Sequence, residues 1–159
     1  MANILISYYS RTGNTKKMAE LIAEGATAAG GEVTLKGIEE ILKEDLVKAD
    51  AIIIGSPTFY GHCAAPVRQF FDESVRLHGR LQGKVGGAFA SSHNIGGGNE
   101  TTILGILESM LIHGMIIPGS VDGDHYGPVA IGAPDARATS QCRAHGDRIA
   151  KLAERLKKS

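Results

Sequence analysis

Apolar positions along the chain follow two alternating rhythms. Ile4, Leu5 and Ile6 lie in an unbroken run over residues 3–8, as in a strand buried on both faces. From Lys16 the spacing changes to Met18, Leu21, Ile22, Gly25 and Ala29, the 3.6-residue stripe of an amphipathic helix, and Gly30-Gly31 stops it. A second strand is predicted over residues 32–38 through Val33 and Leu35, and a short helix or turn over 41–48. A third strand over 51–54 ends at Gly55. A helix with Val67, Phe70 and Phe71 facing inward follows, then a fourth strand over 85–90. Next come a helix over about 101–112 carrying Ile103, Leu104, Leu107 and Leu111, and a fifth strand over 115–117. Residues 122–137 have many turn formers and no clear period, and read as a loop. The last helix runs over about 139–157, with Ile149, Leu152 and Leu156 inward.

Five short strands alternating with helices predict an α/β fold: a doubly wound five-stranded parallel sheet with helices on both faces and right-handed crossovers. In a sheet of order 2-1-3-4-5, the carboxyl ends of strands one, three and four are neighbours where the winding reverses, which is where such sheets bind ligands. Each of those three strands runs into a polar loop.

The first loop is Ser10-Arg11-Thr12-Gly13-Asn14-Thr15. A strand that ends in small and hydroxylated residues just before a helix leaves backbone N–H groups free for an anion, and Ser10, Thr12, Thr15 and Asn14 add side-chain donors. The loop lacks the Lys followed by Ser or Thr of a nucleoside-triphosphate loop and the three spaced glycines of a dinucleotide loop, so it suits a terminal monophosphate held by neutral donors. An ordinary N-capped helix, with Thr12 or Asn14 as the cap, is the alternative. The second loop, Gly55-Ser56-Pro57-Thr58-Phe59-Tyr60-Gly61-His62, carries two aromatics able to stack on a planar ligand or, alternatively, to cover the core. The third, Ser91-Ser92-His93-Asn94-Ile95-Gly96-Gly97-Gly98-Asn99-Glu100, has three adjacent glycines that let the backbone curl and offer N–H donors.

Composition narrows the partners. The 159 residues suffice for one domain with a full core, spanning residues 1–159, and are too few for two ordinary ones. The 17 basic and 17 acidic side chains cancel, leaving no overall field to attract nucleic acid or an anionic membrane. No apolar run approaches the roughly 20 residues that cross a bilayer, and no basic segment followed by an apolar one opens the chain, so a cytoplasmic location is expected. Cys63 and Cys142 form no CxxC; two reduced thiols and no metal centre are expected.

The motifs together resemble the flavodoxin-like flavoproteins and, within them, the tryptophan-repressor-binding-protein (WrbA) type of NAD(P)H:quinone oxidoreductase. The resemblance covers nearly the whole length. It rests on the 10–15 loop, the 55–61 stretch, Gly83-Lys84-Val85-Gly86, Gly96-Gly97-Gly98-Asn99-Glu100-Thr101-Thr102, His113-Gly114-Met115 and Tyr126-Gly127. It implies FMN with its phosphate in the 10–15 loop. Pro57, Thr58, Phe59, Tyr60 and Gly61 would border the isoalloxazine, and Ser91, Ser92, His93, Asn94, Ile95, Gly96 and Gly97 would contact its pyrimidine edge and ribityl chain. His113 matches a family histidine that lies beside the flavin ring, often supplied near a subunit contact; from the residues alone it reads as a solvated or capping histidine at a helix C-terminus. The resemblance further implies two-electron reduction of a quinone by NADH or NADPH through ping-pong hydride transfer, with His113 and Tyr60 orienting the second substrate or moving a proton, in a homodimer or homotetramer. The alternative is a one-electron carrier; such carriers are usually strongly acidic, and this chain is neutral. Two departures stand out. The second and third strands are joined by a shorter connection than in typical members, and a family tryptophan over the flavin has no counterpart, His78 being the nearest match.

Overall fold

Alternation along the central strands builds two cores. In the computed structural model, which describes residues 1–159, β1 (Asn3–Tyr8) sends Ile4 and Ile6 to one face and Leu5 to the other, and β3 (Ala51–Phe59) sends Ile53 one way and Ile52 and Ile54 the other. Helices α1 (Asn14–Ala28) and α5 (Ala136–Lys157) cover the first face; α2 (Lys43–Lys48), α3 (Ala65–Glu73) and α4 (Asn99–Ile112) cover the second. With β2 (Glu32–Gly37), β5 (Val85–Ser92) and β6 (Val129–Ile131), the parallel sheet has the order β2-β1-β3-β5-β6. This is the predicted doubly wound arrangement. No helix is long and apolar enough to cross a membrane.

The edge strand differs from expectation. Of residues 115–117, only Ile116 bridges the sheet, beside Val85 at the start of β5. The chain then leaves the sheet and returns as β6, which pairs Val129, Ala130 and Ile131 with Ala90, Ser91 and Ser92. The fifth strand is therefore split, and residues 122–137, read as a loop, contain β6 and the first two residues of α5. Three residues flanked by Gly127-Pro128 and Gly132 are too short a run to announce themselves against turn formers.

α4 also turns a different stripe inward. Ile103, Ile106, Leu107 and Met110 are buried, whereas Leu104 and Leu111 are exposed, as is Leu156 of α5. The helix is apolar on both sides, so periodicity alone did not separate its faces.

α1 and α5 lie unusually close. A Cβ on Gly25 would fall 2.0 Å from the Arg143 carbonyl oxygen, and one on Gly146 2.0 Å from that of Ile22. The two helices touch backbone to backbone along the second half of α1.

Candidate functional site

The loops after β1, β3 and β5 meet at the carboxyl rim, where the winding reverses. In the first, Gly13 takes a left-handed conformation (φ 99°) as the N-cap of α1, so the cap position itself supplies no side-chain acceptor. Neither Thr12 nor Asn14, the two residues expected as a possible cap, serves as one. Ser10 Oγ sits inside it, accepting from the N–H groups of Gly13 (3.1 Å) and Lys16 (3.3 Å). The N–H groups of Thr12, Asn14 and Thr15 have no acceptor within the chain. Free amides at the positive end of a helix make an anion cradle.

The second loop is a hairpin rather than an irregular loop. β3 continues through Phe59, turns at Tyr60-Gly61 and returns as β4 (His62–Cys63), pairing Thr58 with Cys63 and Phe59 with His62. A two-residue hairpin turn of this kind needs positive φ at both central residues, and Tyr60 has φ 51°, the only non-glycine residue in that region. Its side chain is fully exposed. The hairpin is pinned to α4: Thr101 Oγ1 donates to the Gly61 carbonyl at 2.7 Å, and a Cβ on Gly98 would fall 2.6 Å from Gly61 Cα. The strained tyrosine is thus held by its neighbours and aimed at solvent. Phe59 is half-buried, and the Arg11 guanidinium lies 4.7 Å above its ring centroid, joining the first loop to the second. Ser56 Oγ accepts from Ala64 N–H and donates to the Pro57 carbonyl, both at 2.8 Å, fixing the entry to the hairpin.

In the third loop Ser91 and Ser92 are buried, while His93, Asn94, Ile95, Gly96 and Gly97 are exposed. Ser92 Oγ donates to the Asn94 carbonyl (2.9 Å), and Gly97 N–H donates to the same oxygen (3.2 Å), closing a tight turn. Ser91 Oγ lies 2.8 Å from Thr15 Oγ1, so the third loop is bonded to the first through buried hydroxyls. Three further buried polar atoms in this region, Thr58 Oγ1, Asn99 Oδ1 and Thr102 Oγ1, have no partner in the protein. Asn99 and Thr102 were not singled out from the sequence as site residues; the Gly-Gly-Gly-Asn-Glu-Thr-Thr run was the signal that pointed at them.

His113 does not join this rim. It caps the C-terminus of α4, the 14-residue helix whose other end borders the third loop, roughly 20 Å away at 1.5 Å per residue. There it is buried, with Nε2–H donating to Ser74 Oγ at 2.7 Å while Ser74 donates to the Phe71 carbonyl. Burial, with the His78 charge adding to it, lowers its pKa below the ordinary histidine value. Within one chain, His113 and neighbouring His78 lie at the opposite edge of the sheet from Tyr60. The thiols are free: burial raises the pKa of Cys63 and pushes that of Cys142 up to about 12.

A helix N-terminus with free amides, an exposed aromatic turn and a glycine loop at one rim define a doubly wound α/β protein whose rim offers donors to an anion beside an exposed aromatic ring. The chain belongs to the flavodoxin family: residues 5–94 match the family of the flavodoxin domain. It is 42% identical to a flavodoxin of Aquifex aeolicus, over 94% of this chain and 86% of that protein. It is 36% identical to an NAD(P)H dehydrogenase (quinone) of Sinorhizobium fredii, over 98% of this chain and 99% of that one. Among solved structures, the flavodoxin, WrbA-like protein of Agrobacterium tumefaciens superposes with a TM-score of 0.86 at 29% identity, covering 98% of this chain and 99% of its own.

FMN, which this family implies, fits the residues present. The free amides of the 10–15 loop match a terminal phosphate, and the unpartnered Thr58, Asn99 and Thr102 atoms match a polar ligand beside the other two loops.

Proposed function

We propose that this protein is an FMN-dependent oxidoreductase that passes two electrons from NADH or NADPH to a quinone. The observation that carries the reading is the open N-terminus of α1, three amides without acceptors, at the rim shared with the hairpin and the glycine loop. Full-length relatives named NAD(P)H dehydrogenase (quinone) support it.

When bound, FMN supplies the capacity to take up a pair of electrons from a nicotinamide and release it to a quinone. The chain supplies position. Ser10, Arg11, Thr12, Gly13, Asn14 and Thr15 would hold the phosphate; Pro57, Thr58, Phe59, Tyr60 and Gly61 one side of the ring; and residues 92–97 its polar edge. Tyr60, fully exposed and rigidly based, would stack on the incoming nicotinamide or quinone and orient it. Within a single chain His113 lies away from this rim, so a part for it in orienting the second substrate or moving a proton would be played across a subunit contact. One shared place for donor and acceptor makes the kinetics ping-pong.

Titrating the purified protein with FMN should give a yellow complex. Anaerobic NADH or NADPH should bleach it, benzoquinone should restore it, and double-reciprocal plots should be parallel. Intersecting plots would remove the shared-place version. A second reading, a one-electron carrier, is favoured by the relative named flavodoxin. It requires that NAD(P)H leave the complex unbleached while a redox partner protein exchanges electrons with it. The neutral balance of charge favours the enzyme. We further propose a cytoplasmic homodimer or homotetramer, which light scattering of the purified protein tests.

A further inference from the structure

Ser91 and Thr15 stand 76 residues apart, yet their hydroxyl oxygens lie 2.8 Å from each other and the residues are only 5% and 2% exposed. Alternation along β5 accounts for the meeting. Val85 and Phe89 pack in the core beneath α1 and α5, whereas Ala88 and Ala90 face the other core; Ser91 therefore shares the face of Val85 and Phe89 and points at the start of α1. The neighbouring Ser92 hydroxyl is committed to the Asn94 carbonyl. Thus the two serines expected to contact a ring spend their hydroxyls inside the protein.

A hydroxyl has one proton. When two of them pair, one donates, and the acceptor's own proton is left for a third group. Thr15 occupies the first turn of α1, where its N–H is also without an acceptor, so a proton freed on Thr15 enters the anion cradle. A chain of hydroxyls ending on an anion polarises in one direction, each bond strengthening the next.

We propose that Ser91 is a positioning residue: it donates to Thr15 Oγ1, so that the Thr15 hydroxyl is aimed at the phosphate of the bound cofactor. This rests on the FMN reading above. Its consequence is a specificity for phosphate carried by a residue that does not touch it. Ser91 also couples the loop that grips the phosphate to the loop that borders the ring.

The test compares dissociation constants for FMN and riboflavin, which differ by the phosphate, using quenching of flavin fluorescence. For Ser91→Ala, FMN binding should weaken about tenfold while riboflavin binding stays within about twofold. Ser91→Thr, which keeps the hydroxyl, should bind FMN as the parent does, and it serves as the working variant if the alanine form melts early. In a Thr15→Val background, Ser91→Ala should produce no further loss. Equal losses for both flavins would mean that Ser91 contacts the ring or ribityl chain and would overturn the proposal. Unchanged FMN affinity, or a full Ser91→Ala effect without the Thr15 hydroxyl, would overturn it too. If the parent protein binds neither flavin, the FMN reading falls and this inference with it; if the parent binds FMN and only the cycle fails, the reading stands and the inference alone is lost.

Discussion

Helices α1 and α5 pack side by side under the same face of the sheet, but their N-termini are finished by different means, a charged cap residue at one and a neutral serine from the preceding loop at the other. At α5, the Asp135 carboxylate accepts from Ala138 N–H at 2.8 Å, an ordinary cap that closes the helix on itself. At α1, glycine stands in the cap position, Ser10 reaches in from upstream to take the Lys16 N–H at 3.3 Å, and the amides of Thr12, Asn14 and Thr15 are left without an acceptor. Both ends carry the positive pole of a helix dipole. A carboxylate at the cap neutralises the helix pole, whereas a neutral hydroxyl leaves the pole positive, and at α1 that pole lies at the switch point of the sheet. Position decides between them as much as sequence does, since only α1 starts where the other two loops converge.

Four measurements break or sharpen this contrast. The largest effect is expected where the two helices touch. Gly146→Ala places a methyl against the Ile22 carbonyl, and urea unfolding should show a loss of about 3 kcal/mol, because neither backbone can retreat. Next, Ser10→Asp puts a carboxylate where Ser10 Oγ now accepts from Gly13 and Lys16. It should replace a neutral cap of α1 by a charged one: FMN binding weakens by about 100-fold while the cofactor-free protein melts no lower. A variant that still bound FMN tightly would show that the phosphate does not occupy this loop.

The third concerns His145, on α5 but deep in the core. Burial, reinforced by the nearby Arg148 charge, lowers its pKa to about 3. Between about 3 and the ordinary value of 6.5, the unfolded chain holds a proton that the folded chain refuses, so stability rises with pH across that window and is lost on acidification. From pH 7.5 to pH 5 this group should account for about 2 kcal/mol of lost stability, and His145→Gln should lack that share of the slope in urea midpoints. The smallest effect belongs to the closed cap. Asp135→Ala should cost about 1 kcal/mol and leave FMN affinity unchanged, in contrast to any change at the open end of α1.

His113 shows how far a motif carries and where it stops. The residues His113-Gly114-Met115 mark a resemblance, and a helix C-terminus was legible from the spacing of apolar residues before it. Nothing local told whether that end of α4 would face the crevice or the opposite edge. The rise of the intervening helix settles this, and it places His113 against Ser74. Similarly, the aromatic loop at residues 55–62 was legible as a loop because its turn formers are local signals. That Thr58 and Phe59 pair with Cys63 and His62, with Tyr60 strained at the tip, depends on α4 holding Gly61 from the other side.

What the amino-acid sequence determined by itself is therefore whatever rests on near neighbours: the alternation of buried strands and amphipathic helices, the doubly wound class it implies, and the glycine and hydroxyl loop at the start of α1. What only the tertiary structure decided is whatever needs two distant segments to meet. That includes the bond between Thr15 and Ser91, the split edge strand beside β5, the face α4 turns inward and the distance of His113 from the rim. The physical reason is range: backbone propensity and side-chain periodicity act over a few residues, whereas a hydroxyl finds its partner only after the sheet has brought two loops together.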